Sequence, residues 1–486
     1  MKPVPLLGNG VFGKSAVVTS QRRVNCYVEK RGDQDKSEIA VYQTPGLTLF
    51  TNAGVGPIRA MRSMPNLGLM FVVSGTNLYA INNAGTVTNF WGPIAAGTTP
   101  VGICDNGVEV IVVDGVKGYI YNTTTNTFSQ IVDANFPNGA FTVAFNDGYF
   151  IVDDPAHPGR FYLSANVYTT ANAGLTWTPV QFATAQSNPD GLVAVDELHG
   201  LVLMFGSQSI EYWQDVGASP FPYQPIVSAT QDWGLAARWS RAYIGNTLCF
   251  LGQTQQGQVQ VMEMQGFVPK VISTPDVDAV INVFTVVNDA VALSYVTDGH
   301  FMYQLTFPTQ GRSFLYDITQ REWSETQSQV ALQARHTGQL SVQLFGKVYI
   351  GDYSTGNIYL LDKSNYTDNG VQVPRIIQTR HVYDSYDVLG VDEVFLDMET
   401  GVGLQSGQGS NPQIMMEISK DGGRTFPVQR WSTFGLVGQY KFPRAIWRRV
   451  GSGYDFVFRF TVTDPVKFVI SGSGATVRKS MPQRAA

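Results

Sequence analysis

One short pattern recurs along most of this chain and constrains its fold more than any other feature. An apolar run is followed by a turn of Gly, Asn or Asp, and then by a second run with an aromatic or other apolar residue near its centre. We count seven copies, over residues 75–82, 115–122, 159–164, 209–213, 256–261, 298–303 and 355–360. A period of about 40–50 residues with one β-hairpin per repeat is typical of a radial β-propeller. The sequence therefore predicts an all-β fold built on a β-propeller of about six to eight blades.

The chain divides into three parts around this repeat. Residues 1–44 show little periodicity and are predicted to form an irregular N-terminal arm. A Pro-Gly turn signal at positions 45 and 46 opens the propeller, which we predict over residues 45–370. Residues 371–486 have their own alternation, and we expect a basic C-terminal β domain that resembles a sandwich. Its expected antiparallel strands lie over residues 394–396, 413–418, 456–462 and 466–470.

The composition suits a soluble protein with much buried surface, because 44% of the residues are hydrophobic and only 15% are charged. No stretch approaches the roughly 20 continuous apolar residues of a membrane span, and the opening residues lack the apolar core of a signal peptide. The three cysteines are scattered and do not suggest a disulfide framework. We therefore expect synthesis in a reducing cytoplasm.

Charge is distributed unevenly. Residues 420–486 hold twelve Lys and Arg against three Asp and Glu, a local balance of +9, which leaves −14 on the rest of the chain. Such asymmetry predicts a basic end that docks on an acidic partner and a body that repels polyanions. Two solvated faces without a partner are the alternative.

Residues 8–15, Gly-Asn-Gly-Val-Phe-Gly-Lys-Ser, match the phosphate-binding P-loop pattern letter by letter. That chemistry needs the motif between a buried strand and a helix whose N-terminus faces the phosphates. Only seven residues precede the motif, and the residues that follow, 16–20, are β-branched rather than helix-forming. Residues 110–114 resemble the strand that binds magnesium in proteins with a P-loop, but they belong to a repeat hairpin. We predict no nucleotide site.

A second motif resembles the Asp-box hairpin of sialidases and other propellers. It consists of Ser419, Asp421, Gly423, Thr425 and Phe426. The carboxylate bonds turn amides, glycine permits a positive φ, and the aromatic residue anchors the hairpin, so the motif predicts a structural turn. A looser copy with Asn in place of Asp lies at residues 170–177. A glycan-binding or glycan-cleaving propeller remains an alternative function, although no cluster of arginines, tyrosine and acids identifies a hydrolytic site.

Metal and nucleophile patterns point to no site. The five histidines are isolated, and neither a Cys-x-x-Cys pair nor a Gly-x-Ser-x-Gly elbow occurs. We therefore predict no catalytic residues, no metal, no cofactor and no small-molecule substrate.

Three phrases, in order along the chain, carry a family resemblance. The first is Arg-Val-Asn-Cys-Tyr-Val-Glu at 23–29 with Thr-Pro-Gly-Leu at 44–47, and the second is Phe-Gly-Ser-Gln-Ser-Ile-Glu-Tyr-Trp at 205–213. The third is Arg-Arg-Val-Gly at 448–451, which continues through Phe-Arg-Phe at 458–460 to Thr-Asp-Pro-Val at 463–466. Together they resemble the tail nozzle proteins of short-tailed bacteriophages, also called tail hub or packaged-DNA-stabilisation proteins.

This resemblance implies a structural virion protein without catalysis. It implies a homohexameric ring in the short tail, below the portal and its adaptor ring, that lines the DNA exit channel and retains packaged DNA. Tail fibres, tailspikes or a needle would dock on it, and double-stranded DNA would pass through the lumen without sequence-specific binding. An acidic or neutral lumen suits that passage, because a basic lining would bind phosphates.

The basic C-terminal region is then the expected contact with the adaptor ring or with DNA. The candidate contact residues are Arg444, Arg448, Arg449, Arg459, Arg478 and Lys479. A basic region that meets DNA would do so through phosphates alone. A cellular propeller that acts as an interaction scaffold is a further alternative.

Overall fold

The structure is a computed structural model that describes residues 2–3, 10–11, 13–32, 38–329, 334–384, 387–440 and 444–479. Strands make up 52% of it and helix only 3%, which confirms the all-β prediction.

Five short strands precede the first blade. They are β1 (Lys2–Pro3), β2 (Arg22–Val24), β3 (Cys26–Lys30), β4 (Ile39–Gln43) and β5 (Gly46–Asn52).

Seven antiparallel sheets follow one another along the chain, and we number them as blades. Blade 1 contains β6 (Ile58–Met64), β7 (Leu69–Ser74), β8 (Asn77–Asn82) and β9 (Val87–Trp91). Blade 2 contains β10 (Gly102–Asp105), β11 (Glu109–Val113), β12 (Gly118–Asn122) and β13 (Thr127–Gln130). Blade 3 contains β14 (Val143–Asn146), β15 (Tyr149–Asp153), β16 (Arg160–Ser164) and β17 (Trp177–Thr184). Blade 4 contains β18 (Leu192–Leu198), β19 (Leu201–Gly206), β20 (Ile210–Asp215) and β21 (Tyr223–Pro225).

Blade 5 contains β22 (Gly234–Leu235), β23 (Ala242–Ile244), β24 (Thr247–Gln253), β25 (Val259–Gln265) and β26 (Val268–Val271). Helix α1 (Pro275–Ile281) follows, and it begins where the Thr274 side chain accepts the Val277 N–H. Blade 6 contains β27 (Val291–Thr297), β28 (His300–Phe307), β29 (Arg312–Asp317) and β30 (Glu322–Thr326). Blade 7 contains β31 (Gly338–Leu344), β32 (Lys347–Asp352) and β33 (Asn357–Asp362), and it takes β5 as its outer strand. The described residues thus form seven blades, within the predicted range.

The ring closes through β5. This strand pairs antiparallel with β33, from Asn357 opposite Asn52 to Asp362 opposite Gly46. Blade 7 is therefore built from both ends of the repeat region. Such closure protects strand edges that would otherwise be exposed at the seam.

The inner strands of each blade have nearly continuous apolar sequences, because both faces of the blade are buried against neighbouring blades. Strand β11 shows this alternation: Val110 and Val112 join the core shared with blade 1, whereas Ile111 and Val113 join the core shared with blade 3. The apparent magnesium strand is therefore the middle of a blade. Seven such cores, one between each pair of neighbouring blades, surround the axis.

In the described part of the chain ten strands follow blade 7, and the first two of them extend its sheet beyond β5. The ten strands are β34 (Thr367–Asp368), β35 (Val371–Gln372), β36 (Arg375–Gln378), β37 (Val382–Tyr383), β38 (Leu389–Met398), β39 (Gln413–Ser419), β40 (Val428–Thr433), β41 (Arg444–Gly453), β42 (Asp455–Val462) and β43 (Val469–Lys479). One sheet has the order β3-β4-β43-β38-β41, and the other has the order β2-β36-β42-β39-β40. An apolar core that includes Leu396, Trp447 and Phe458 joins them into a β-sandwich, as predicted. The strand expected over 466–470 instead begins at Val469.

The arm is not irregular in the way its sequence suggests. Strands β2, β3 and β4 contribute to both sandwich sheets. Strand β2 also pairs parallel with β30 of blade 6, where Val24 lies opposite Glu325, and antiparallel with β36. One continuous ten-stranded sheet therefore runs from blade 6 into the sandwich. A run of three residues has too little alternation to predict a strand whose partners lie about 300 residues away.

Candidate functional site

The six basic candidates lie on strands β41, β42 and β43 of the sandwich, but the sheets give them different surroundings. Strand β38 lies between β41 and β43 and carries acidic residues opposite their arginines. Acidic side chains from outside the basic segment therefore neutralise part of it.

Three of the candidates form ion pairs with acids of β38. Arg444 Nε lies 2.6 Å from Asp397 Oδ1, and the Arg444 guanidinium lies 4.3 Å from the centre of the Phe395 ring. Arg448 Nε lies 3.1 Å from Glu393 Oε2. Exposed pairs of this type contribute about 0.2–1 kcal/mol each to stability, so they tune surface charge more than they hold the fold together.

Arg478 makes the third pair, with its Nε 3.2 Å from Asp392 Oδ1. Residues 371–486 as a whole hold fourteen Lys and Arg against ten Asp and Glu, a net charge of +4. The sandwich is thus less basic than the segment 420–486 suggests, because β38 and β39 bring acids to the same sheets. A local count along the sequence misses this cancellation across the strands.

Arg459 lies on the outer face of its sheet, where its side chain is 22% exposed and is paired within the sheet. It makes two hydrogen bonds to Glu417, from Nε to Oε2 at 2.6 Å and from Nη2 to Oε1 at 3.0 Å. Its guanidinium also lies 3.9 Å from the centre of the Phe426 ring, the aromatic residue of the Asp-box. With both sides of the guanidinium engaged, Arg459 links β42 to the β39–β40 hairpin.

Arg449 is the candidate that faces solvent without an acidic partner in the described part of the chain. Its backbone has a φ of 59°, in the left-handed region that residues other than glycine seldom adopt. Its carbonyl oxygen accepts a hydrogen bond of 2.9 Å from Arg430 Nη1, which holds this turn of the backbone against β40. Lys479 ends β43, and its side chain lies outside the described residues.

The Asp-box forms the turn between β39 and β40. Asp421 Oδ1 accepts the N–H groups of Arg424 and Thr425, both at 3.0 Å. Its Oδ2 accepts the Thr425 hydroxyl at 2.6 Å, while Ser419 Oγ donates to Oδ1 and accepts the Gly423 N–H. These hydrogen bonds hold the pKa of Asp421 well below its usual range, with the Ser419 hydroxyl as the largest cause. Both carboxylate oxygens are thus engaged within the turn itself.

A group of exposed apolar side chains on β40 and in the loop after it escaped the sequence analysis. We call it the edge patch: Trp431 on the outer face of β40, and Leu436, Val437 and Tyr440 in the loop that follows. Trp431 is 59% exposed, and it is the only one of the eight tryptophans that is exposed. Arg430, its neighbour in β40, donates to the carbonyl of Arg448 at 2.7 Å, which brings β40 and β41 together. The sequence signal was the absence of apolar alternation along β40, which fits an edge strand.

The P-loop pattern lies only partly within the described residues, since Gly8, Asn9 and Phe12 fall outside them. Residues 16–18 form a turn, and no helix follows the motif within the described residues 13–32. A Cβ on Gly10 would lie 1.9 Å from the Trp323 carbonyl oxygen, so this segment packs tightly against blade 6. The helix that a phosphate-binding loop needs is therefore absent from the described residues after the motif.

Among the described residues, no group of three or more His, Cys, Asp or Glu side chains could hold a metal ion. All three cysteines are buried and free, and burial raises the pKa of the Cys104 thiol to about 11. No helix in this part of the chain is both long and apolar enough to cross a membrane.

A seven-bladed propeller joined to a β-sandwich, with an exposed aromatic patch, defines the chain as a two-part β protein. Residues 8–366 match the family profile of the bacteriophage P22 Gp10 β-propeller, and residues 374–478 match that of the bacteriophage P22 Gp10 β-sandwich. The chain therefore belongs to the bacteriophage P22 Gp10 family, and it is a phage structural protein of the tail-nozzle or stabilisation type. This confirms the resemblance seen in the sequence. No curated protein sequence matches the chain significantly.

Solved structures show a likeness in fold alone. The WD40 domain of Neurospora crassa Pan2 is 9% identical, with 65% of this chain and 95% of that domain covered and a TM-score of 0.41. The N-terminal domain of Nup159 is 9% identical, with coverage of 69% and 97% and a TM-score of 0.39. The extracellular domain of a two-component system from B. thetaiotaomicron is 8% identical, with coverage of 76% and 45% and a TM-score of 0.42.

Proposed function

We propose that the chain assembles as a homohexameric ring below the portal and adaptor of a short-tailed phage. There it surrounds the DNA exit channel, retains the packaged genome and docks tail fibres, tailspikes or a needle. It would be made in the host cytoplasm and function in the virion. Membership of the P22 Gp10 family supports the general role.

The observation that carries the protein-docking part of the proposal is the edge patch. Trp431 and Tyr440 are 59% and 71% exposed, and Arg448 and Arg449 lie on the adjoining strand. Tryptophan, tyrosine and arginine are the residues most enriched at the energetic centres of protein interfaces. Arg444 and Arg448 of this strand are paired with acids, so Arg449 alone keeps a free charge, and this favours a protein partner over the phosphates of DNA. We infer that the edge patch contacts an adaptor subunit or a neighbouring protomer.

DNA passage fits the charge of the propeller. Residues 1–370 hold nineteen Lys and Arg against twenty-eight Asp and Glu, a net charge of −9. A body of this charge repels phosphates, so we propose that duplex DNA binds weakly and without sequence preference at physiological salt. Tight, steeply salt-dependent binding would contradict this part of the proposal.

We also propose that the protein has no catalytic role. The Asp-box gives no support to glycan cleavage, because Asp421 is engaged by its own turn. Turnover of a sialoside by the purified protein would contradict us.

The predicted arm (1–44), propeller (45–370) and C-terminal domain (371–486) remain a proposed division. We propose one refinement, that the arm folds with the C-terminal domain because its strands complete both sandwich sheets. Limited proteolysis tests this: the arm should stay with the C-terminal domain after cleavage near residue 370.

Native mass spectrometry of the full chain, with and without purified adaptor protein, tests the assembly. The expected result is a hexamer and its complex with the adaptor. Trp431→Ala should weaken the contact made by the edge patch about tenfold or more, as expected for a central interface residue. Tyr168→Ala, which removes a 78% exposed ring on blade 3, is the matched control. Monomers alone, even with the adaptor present, would overturn the proposed ring, whereas equal behaviour of the two variants would overturn only the role of the edge patch.

A further inference from the structure

A cavity of about 940 Å³ lies between the N-terminal arm and the sandwich. We call it the arm groove: residues 17–21 line one wall, and residues 380, 381, 383, 454 and 455 line the other. The second wall thus comes from β37, the residues before it, and the start of β42. The volume is near the upper end of the range of about 300–1,000 Å³ that is usual for pockets that bind organic ligands.

The arm groove is lined by apolar side chains that water reaches. Val17 and Val18 on one wall, and Tyr383 and Tyr454 on the other, are each more than half exposed. A single exposed apolar side chain is ordinary, but four that line one groove form a patch of the kind that marks a binding site. Tyrosine is also enriched among the residues that contribute most to the affinity of protein interfaces.

Hydrogen bonds fix the two walls of the groove relative to each other. His381 lies between them, with Nδ1 2.6 Å from Asp455 Oδ2 and Nε2 2.8 Å from the Ala16 carbonyl oxygen. Ser20 Oγ donates to the Thr379 carbonyl at 2.9 Å. Because the walls are tied in this way, the groove is formed before a partner arrives, and binding loses little conformational entropy.

The charge that remains free at the groove is positive. Asp455 is engaged by His381, whereas the exposed Arg380 has no carboxylate partner among the described residues. The two parts of the chain that form the groove are also basic together. Residues 1–44 hold seven Lys and Arg against four Asp and Glu, and residues 371–486 hold fourteen against ten, which gives a net charge of +7.

The Asp-box turn places two further cations beside the arm groove. This turn contacts the arm, since a Cβ on Gly422 would lie 3.4 Å from Val17 Cγ2. Lys420 donates to a backbone carbonyl near the end of β41 at 2.9 Å, and neither Lys420 nor Arg424 pairs with a carboxylate in the described part of the chain. Asp421, which lies between them, is engaged by its own turn.

We propose that the arm groove binds an acidic peptide segment of a partner protein, with an aliphatic side chain between the valines and the tyrosines and a carboxylate on Arg380. Grooves lined by aromatic residues commonly hold extended segments, and charge-assisted hydrogen bonds from a guanidinium to a carboxylate add specificity. Duplex DNA fits this groove less well, because phosphates gain nothing from an aliphatic wall. The arm groove shares no residue with the edge patch, so this site does not depend on the proposed ring.

Selection of peptides from a random heptapeptide library by the full chain tests the proposal. The wild-type chain should enrich peptides that carry Asp or Glu beside Leu, Ile, Val or Pro. Arg380→Glu should reverse the charge preference and enrich Lys or Arg at the same position, because the groove then repels carboxylates. Lys347→Glu makes the same change of charge at an exposed position of blade 7, so it is the matched control and should leave the selection unchanged.

Fluorescence anisotropy with the most enriched peptide measures the apolar part of the contact. Tyr454→Ala should weaken binding about tenfold or more, whereas Tyr168→Ala, at the exposed tyrosine of blade 3, should change it less than about threefold. Both rings are exposed, so circular dichroism should stay unchanged in both variants.

The absence of any selection by the wild-type chain would overturn the proposal. An acidic preference that survives Arg380→Glu, or that Lys347→Glu abolishes equally, would also overturn it, since either result indicates diffuse attraction. Binding of a short DNA duplex that depends on Arg380, without selection of any peptide, would assign the groove to nucleic acid instead.

Discussion

Glu325, a buried carboxylate, is one of several links between the arm and blade 6, and removing its charge should loosen this junction. Glu325 in β30 is 4% exposed and accepts three hydrogen bonds of 2.9 Å. Two come from Arg22 in β2, and the third comes from Arg312 in β29. The side chains of these arginines are 12% and 15% exposed. The perturbation is Glu325→Gln, which keeps the shape and removes the charge.

The loss of stability follows from the two arginines that no longer have a carboxylate partner. The substitution leaves two largely buried guanidinium groups without a carboxylate, and breaking a buried pair in this way costs about 3–5 kcal/mol. The backbone bond from the Asn25 N–H to the Glu325 carbonyl, 2.9 Å long, remains, so the strand pairing itself is weakened rather than removed. We expect β2 to open locally at a cost far below that of unfolding the blades.

Hydrogen exchange followed by mass spectrometry is the suitable assay, because a propeller joined to a sandwich need not unfold in one step. Peptides that cover β2 and β36 should exchange faster in Glu325→Gln, while those of blades 1–4 should not change. Glu393→Gln is the control, since it breaks the exposed pair with Arg448 and should cost no more than about 1 kcal/mol. Equal protection of β2 in both variants would refute the reasoning.

Three further predictions follow from other parts of the structure. Asp421→Ala should increase exchange at the amides of Arg424 and Thr425, and hydrogen exchange of this turn checks it. Because the folded pKa of Asp421 is depressed, its contribution should be present above about pH 4 and be lost as the pH falls further; a wild-type turn that is equally protected at pH 2 and pH 6 would contradict this. Gly356→Ala should lower the thermal midpoint by straining the ring closure, since the new Cβ would lie 2.1 Å from the Gly54 carbonyl oxygen, whereas Gly191→Ala meets nothing within 4 Å and should be neutral. Arg459→Met should destabilise the sandwich by about 1–3 kcal/mol, because the carboxylate of Glu417 loses two hydrogen bonds, and it should leave DNA binding unchanged. Urea unfolding and a DNA titration separate the two effects, and a loss of DNA binding without destabilisation would show that Arg459 contacts DNA instead.

The local sequence determined the blades. A hairpin is a short-range structure, so its turn residues and apolar runs lie within one copy of the repeat, and seven copies are enough to predict a propeller. Strand β11 is a good example, because its unbroken apolar run already indicates burial on both faces. The Asp-box was readable for the same reason, since Ser419, Asp421 and Thr425 bond one another within a single turn.

Only the tertiary structure decided which distant segments pair and which charges lie next to one another. Strands β2 to β4 find their partners hundreds of residues away, and β5 closes the ring with β33, so no local pattern shows either pairing. Much of the excess positive charge of the basic segment is neutralised, because β38 places Asp392, Glu393 and Asp397 beside its arginines. The P-loop letters, in turn, fall in a segment packed against blade 6. Periodicity records which faces of a strand are buried, whereas the identity of the neighbouring strand depends on contacts that form only when the chain closes on itself.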